Sequence, residues 1–288
     1  MTEPFPAYDS LLTMSFRSIL RTVAPILVLE VVKTQRDLAA RLGASTLGSW
    51  LSACSPRVRT AVERSRFSLL PLWLRRPLSF VIDVGANEGQ WLSSLLRLVD
   101  VKEAWVFEPN PEALAKCRRE LVHHTCIDFK EIALGAASGT AVLHITKSSD
   151  FSSLLQPGKA LVKDNYKHDP SAIIAEREVR VLTLDELIPG DKDVDLLKID
   201  VQGVENEVLC GSRKTLKNTK AVLLEVNFRS HYEGDQTFGP LHSLMSDLNF
   251  QLWSMSQPYR GSSGEALWAD ALFINGNALK QPDFGGEP

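Results

Sequence analysis

The residues with the clearest chemistry lie at 81–91, VIDVGANEGQW, where an apolar run ends in an acid and opens onto a glycine loop. Asp83 follows Val81 and Ile82, a pair apolar enough to be buried, so a carboxylate at this point needs a partner or a ligand. Gly85 and Gly89, with Asn87 between them, let the backbone pass close under a bound molecule. A dinucleotide loop carries G-x-G-x-x-G, and a P-loop G-x-x-x-x-G-K-[ST]. The loop here has neither the third glycine nor the lysine, which disfavours a nicotinamide dehydrogenase. Asp83 and Glu88 would also repel a polyphosphate. A cationic ligand fits better, and S-adenosylmethionine has an ammonium, a sulfonium and no phosphate.

Further acids stand at the ends of other apolar runs. Glu108 closes Val106-Phe107 about two dozen residues after Gly85, the spacing at which an acid takes ribose hydroxyls. Asp200 closes Leu196-Leu197-Lys198-Ile199, where it reads either as the N-cap of a helix from about Val204 or as a carboxylate at the reacting centre. Glu225 and Asn227 end the next run; oxygen ligands of that kind hold Mg²⁺ in some sites, but Glu225 bonding loop amides is the ordinary reading and no metal is assigned. His231 follows on a loop, where an imidazole serves as general base near neutral pH. His123, His124 and His144 read as structural, and Lys198 as the partner of a neighbouring acid.

These acids need a scaffold that brings strand ends together. Phe80–Val84, Ala104–Phe107, Phe129–Ala133, Val194–Ile199, Ala221–Val226, Phe250–Ser254 and Ala271–Ile274 read as strands. Gln90–Leu98, Pro111–Leu121, Val204–Leu216 and Phe238–Leu248 read as helices between them. The alternation predicts an α/β fold with a mostly parallel seven-stranded sheet and helices on both faces. Ala141–Ile145 is a strand outside that alternation. The last strand follows a Gly-rich loop too short for a crossover helix, so it runs antiparallel to its neighbour. In such a sheet the ligand sits at the carboxyl ends of the strands, where the strand order reverses.

Residues 1–78 differ in character. Apolar side chains at helical spacing (Leu12, Phe16, Ile19, Leu20, Val23, Ile26, Leu27) predict a one-faced helix bent at Pro25, and a second helix runs from about Ser45 to Phe67. This helical extension suits a lid, a homodimer face or a substrate wall. Its most apolar stretch, Val23–Val32, is too short for a membrane span and is interrupted by Pro25 and Glu30. No signal peptide is read at the N-terminus. A net charge of −3 gives no electrostatic case for nucleic acid. The four cysteines are scattered, with no zinc spacing, which points to reduced thiols in the cytoplasm.

From Phe80 to Ile274 the chain resembles the FkbM-type S-adenosylmethionine-dependent methyltransferases. Four blocks in order carry the resemblance: VIDVGANEGQW, VFEPNPEA, EIALGAASGTAVLH, and VRVLTLDEL with DLLKIDVQGVENEVLCG. It implies a Rossmann-like methyltransferase domain over 79–288 and methyl transfer to oxygen, with a small hydroxylated acceptor such as a sugar. By position, Asp83, Gly85, Asn87 and Gly89 would line the methionine and ribose part, Glu108 with Asn110 the ribose side, and Ile132-Ala133-Leu134 the adenine. Asp200 would face the transfer zone, with His231 the alternative base. Where the family motif commonly reads Asp-Val-Glu-Gly, this chain has Asp200-Val201-Gln202-Gly203, so a role needing a carboxylate at 202 is lost. Transfer to nitrogen or carbon, or cofactor binding without turnover, are the competing readings. The acceptor itself has no recognisable code.

Overall fold

The computed structural model describes Leu74 and residues 76–158, 171–261 and 263–280. The helices expected between 12 and 67, and any dimer they would form, lie outside the described residues. In chain order the elements are β1 (Val81–Val84), α1 (Gln90–Leu96), β2 (Ala104–Phe107), α2 (Pro111–Glu120), β3 (Ile127–Lys130), β4 (Ala133–Leu134), β5 (Gly139–Thr146), β6 (Ile173–Leu182) and α3 (Leu184–Leu187). There follow β7 (Val194–Ile199), α4 (Glu205–Cys210), β8 (Thr219–Asn227), α5 (Phe238–Asp247), β9 (Phe250–Met255), β10 (Tyr259–Arg260) and β11 (Ala266–Asn275).

The main sheet is ordered β3-β2-β1-β7-β8-β11, with β1, β2, β3, β7 and β8 parallel. Strand β11 is antiparallel to β8, and its other edge carries β9 and the two-residue β10. This is the mostly parallel Rossmann-like sheet expected, enlarged by the short β10. Both faces of its central strands are covered. Val81, Leu196 and Ala221 pack with Leu92 and Leu95 of α1 and Leu114 and Cys117 of α2. Ile82, Val84, Leu197, Ile199, Val222 and Leu224 pack on the opposite side with Leu184, Val208, Leu209, Leu241 and Met245. That double burial is why these strands read as continuous apolar runs. Leu74 and Leu78, ahead of β1, are buried in the α1/α2 side of this core.

Three features depart from the sequence reading. The expected strand Phe129–Ala133 is broken: β3 ends at Lys130 in the main sheet, and β4 belongs to a second, three-stranded sheet ordered β4-β6-β5. Strand β6 was not expected at all. Of its ten residues only Val179 and Val181 are buried, so it lacks the apolar signal that marks a strand. The expected helix Val204–Leu216 also stops at Cys210 and resumes as a 3₁₀ turn at Thr215–Asn218. No helix among the described residues is long and apolar enough to cross a membrane.

The strand order reverses at β1. Its successor β2 lies on one side, and the chain returns past β1 to place β7 on the other. The crevice between the carboxyl ends of β1 and β7 is therefore the topological switch point.

Candidate active site

Side chains alternate across a strand, so Asp83 shares the face of Val81, Lys198 that of Leu196, and Glu225 that of Leu223. The registers Asp83↔Val106, Asp83↔Lys198 and Lys198↔Leu223 set these residues side by side on the α1/α2 face. One step further toward the carboxyl ends come Glu108, Gly85, Asp200 and Glu225. Four neighbouring strand ends thus carry three acids and one glycine.

The glycine is required by the protein itself. A Cβ on Gly85 would stand 1.9 Å from the carbonyl oxygen of Asp200, and the residue has φ +72. No side chain fits between the β1 loop and the end of β7. In place of the room for a ligand expected at this glycine, the backbone of Asp200 fills the space. Gly89 has φ +86 at the N-cap of α1, and a Cβ there would meet Cys117 Sγ at 2.8 Å. Asn87, between them, has φ 48.

Beneath the loop lies a buried ionic centre. Lys198 Nζ stands 3.1 Å from Asp83 Oδ1 and 3.5 Å from Asp200 Oδ2, and it donates to the Gly85 carbonyl at 2.8 Å. Asp83 is fully buried, and its Oδ2 accepts no hydrogen bond among the described residues. Burial pushes the Asp83 carboxyl up from its ordinary value, and the Lys198 ammonium works against that shift. Burial alone would lower the Lys198 pKa; the Asp83 and Asp200 carboxylates outweigh it and raise the value. Lys198 is the acid partner expected, and it serves two acids at once.

Glu108 joins the loops that follow β1 and β2. Its Oε2 accepts from Asn87 N at 2.8 Å and its Oε1 from Asn110 N at 2.8 Å. Burial pushes its carboxyl up to about 7, against the pull of those two amides and of Lys198. The Asn110 side chain caps α2 by accepting from Glu112 N at 3.1 Å. The Asn87 amide donates to Asp150 Oδ1 at 2.6 Å, while its Oδ1 is buried without a partner among the described residues. Ala133 lies in β4, an edge strand of the second sheet, and packs with Leu143, Val179 and Val181.

The end of β7 answers the question of the helix cap. Val204 occupies the N-cap of α4 without a side-chain bond. The loop amides of Val201 and Gly203 are instead bonded by the buried Glu205. Burial raises the Glu205 carboxyl to about 7. Asp200 is thereby left for other work, with its side chain one-third exposed at 33%.

Gln202 is the residue that sequence reasoning undervalued. Its Nε2 donates to Asp200 Oδ1 at 2.9 Å and to Glu225 Oε1 at 3.1 Å. Its Oε1 accepts from the buried Tyr232 hydroxyl at 2.7 Å. Burial first, then the Asp200 and Asp270 carboxylates, push Glu225 well above the usual carboxylate range. His231 stands beside Tyr232, but its position is fixed through its backbone: its N–H donates to Asp235 Oδ2 at 2.9 Å and its carbonyl accepts from Gly158. Burial lowers the imidazole pKa against the pull of Asp235. No hydrogen bond ties the ring to Asp200, Gln202 or Glu225 among the described residues. Tyr232 was missed because an aromatic residue on a polar loop carries no pattern of its own.

The acids gathered at the strand ends and a loop without a lysine suit a ligand that carries positive charge and hydroxyl groups. S-adenosylmethionine is such a ligand, and the match to the methyltransferase FkbM domain makes this protein a methyltransferase that uses it. The family model of the methyltransferase FkbM domain matches residues 83–252, more than half of the sequence, and the chain belongs to that family. The 2-O-methyltransferase NoeI of Sinorhizobium fredii (strain NBRC 101917 / NGR234) is 28% identical over 222 residues, covering 74% of this chain and 86% of that protein. Among solved structures, methyltransferase FkbM of Methylobacillus flagellatus KT shares 15% identity at a TM-score of 0.44. That similarity covers 69% of this chain and 44% of the other, so the chain spans less than half of its length. The magnesium protoporphyrin IX methyltransferase ChlM of Synechocystis PCC 6803, with bound S-adenosylmethionine, shares 11% identity at a TM-score of 0.39, covering 91% of this chain and 85% of that one.

Proposed function

We propose that this methyltransferase transfers the methyl group to a hydroxyl oxygen of a small uncharged acceptor, a sugar or similar metabolite. The observation that carries the reading is the Asp200 carboxylate: partly exposed at the switch point, free of capping duty, and held from two sides by Lys198 and Gln202. The bound cofactor supplies a methyl carbon on a sulfonium whose C–S bond breaks with its electron pair left on sulfur. Asp200 takes the acceptor's hydroxyl proton as the oxygen lone pair forms the new C–O bond. The acids around the crevice disfavour an anionic acceptor such as nucleic acid or a phosphorylated sugar. The relative NoeI bears the name of an oxygen methyltransferase, which supports the same choice. The free thiols of Cys117, Cys126 and Cys210 suit the cytoplasm.

The test is mass spectrometry of hydroxylated metabolites incubated with protein and S-adenosylmethionine, read for the gain of one methyl. Methylation confined to amines or carbon acids would replace the reading, and binding of the cofactor without turnover on any acceptor would favour a binding module.

Glu108 is assigned to the ribose, which gives a prediction with a sign. Ribose hydroxyls donate to a carboxylate, so cofactor binding favours the ionised form. In the free protein that form is held back to a pKa of about 7. Affinity should therefore rise with pH up to about 7 and then level, by at most about tenfold per pH unit. Glu108→Gln should flatten the dependence and weaken binding. Calorimetry from pH 5.5 to 8 checks it, and a flat wild-type profile would remove Glu108 from the ribose.

A further inference from the structure

Gln202 is the position at which this chain departs from the acid its motif leads one to expect, and the surroundings show why an amide belongs there. Its carboxamide nitrogen has two N–H groups, and each meets a different carboxylate: Asp200 just past the end of β7 at 2.9 Å and Glu225 on β8 at 3.1 Å. The carboxamide oxygen is turned the opposite way by the Tyr232 hydroxyl at 2.7 Å. The Tyr232 hydroxyl is also within 3.3 Å of the Phe151 carbonyl. The backbone is fixed as well, since Ser153 Oγ donates to the Gln202 carbonyl at 2.6 Å. Gln202 holds φ +58, an unusual conformation for a residue with a side chain, and one that needs its surroundings to maintain it. A carboxylate at 202 would face two others with no donor to separate them.

We propose that Gln202 is a positioning residue whose carboxamide, oriented by Tyr232, holds Asp200 and Glu225 as one pair directed at the acceptor hydroxyl. The inference rests on the assignment of proton removal to Asp200. Both acids bond to a single nitrogen, so neither can rotate without losing a bond to the amide they share. The charged and titratable groups around the pair come from every neighbouring element. Lys198 and Asp83 lie beneath it on β7 and β1. Asp270 lies on β11 and Glu205 on α4. Asp150 and Tyr232 approach from the loops. Lys198 is the cation among them, so each added negative charge at 202 would be felt by the pair.

The test is the pH–rate profile of methyl transfer, with cofactor affinity and melting temperature measured in parallel, for Gln202→Leu, Gln202→Glu and Tyr232→Phe. Gln202→Leu removes both donors and should lower kcat roughly ten- to hundredfold, with cofactor affinity within about threefold. Gln202→Glu keeps the shape, adds a third carboxylate, and should move the acidic limb of the profile upward by about one pH unit or more. Tyr232→Phe should shift both readouts in the same direction by a few-fold at most. A purely structural residue would change melting temperature and leave the limb in place. Should Gln202→Leu fail to fold, the near-isosteric Gln202→Glu carries the test. Wild-type rate and profile in the Gln202 variants, with Asp200→Asn inactive, would overturn the clamp and spare the base. Full activity of Asp200→Asn would remove both.

Discussion

Asp200→Asn should lower the methyl-transfer rate roughly 10²–10⁴-fold while cofactor affinity stays nearly unchanged. The substitution preserves volume and can still accept from Gln202 Nε2, which lies 2.9 Å from Oδ1 in the wild type. What it removes is the capacity to take a proton, together with the charge that faces Lys198 at 3.5 Å. His231→Ala should cost less, below about tenfold. The His231 loop is held through its backbone amide and carbonyl, so the substitution leaves that anchorage in place, and the ring has no bond to the acid pair. The comparison is single-turnover kinetics on both variants under saturating cofactor. A larger loss in His231→Ala, with a rate limb following an imidazole rather than a carboxyl group, would transfer the base assignment to His231.

The largest effect on stability is expected at Lys198. Its ammonium is 7% exposed beside an Asp83 carboxylate that is 0% exposed. Removing one partner of a buried pair strands the other charge, at a cost of about 3–5 kcal/mol. Lys198→Met keeps the stem and its packing, so this electrostatic loss should be read cleanly as a shift of the urea midpoint at pH 7. The pH dependence has a defined sign. Asp83 already has a raised carboxyl pKa in the folded protein, and loss of Lys198 raises it further. A group raised on folding stabilises below its unfolded pKa and loses that contribution as pH rises through the folded value. The variant should therefore be least stable at neutral pH and recover as the pH falls. Adding Asp83→Asn to it should restore part of the loss, the signature of a coupled pair. A loss under about 1 kcal/mol at pH 7 would mean that the centre is hydrated and the pair worth little.

The two substitutions separate the layers of the site. Lys198 acts from below, fixing the strand ends and offsetting the acids. In the proposed mechanism Asp200 acts from above, on the acceptor's hydroxyl hydrogen. Lys198 lies within β7 and Asp200 immediately after its last residue, Ile199, so the two differ in depth by two residues. Lys198 lies where the sheet is still covered by α1 and α2, and Asp200 lies where that cover ends.

The central strands of the main sheet, β1, β7 and β8, were legible in the sequence because each is buried on both faces and shows as an apolar run. The acids at their ends were legible as candidates for the same reason, since a carboxylate after such a run needs a partner or a ligand. Strand β6 was not legible, because most of its side chains face water and it contributes only Val179 and Val181 to a core. The split between β3 and β4 was hidden as well: continuity along the chain says nothing about which sheet a strand joins.

At the site the division is sharper. Residue type and spacing determined that Asp83, Gly85, Glu108, Asp200 and Glu225 gather at one edge of a parallel sheet, since strand direction alone carries them there. Tertiary structure decided what each of them does. Gly85 is needed because Asp200's carbonyl occupies the place of a side chain. Asp200 escapes the role of helix cap because Glu205 takes the loop amides. Gln202, which in sequence is a missing acid, becomes in three dimensions the donor shared by two acids that lie 25 residues apart in the chain. Periodicity encodes burial, which is local along the chain; hydrogen bonds between loops depend on which strand ends become neighbours, and only the folded sheet decides that.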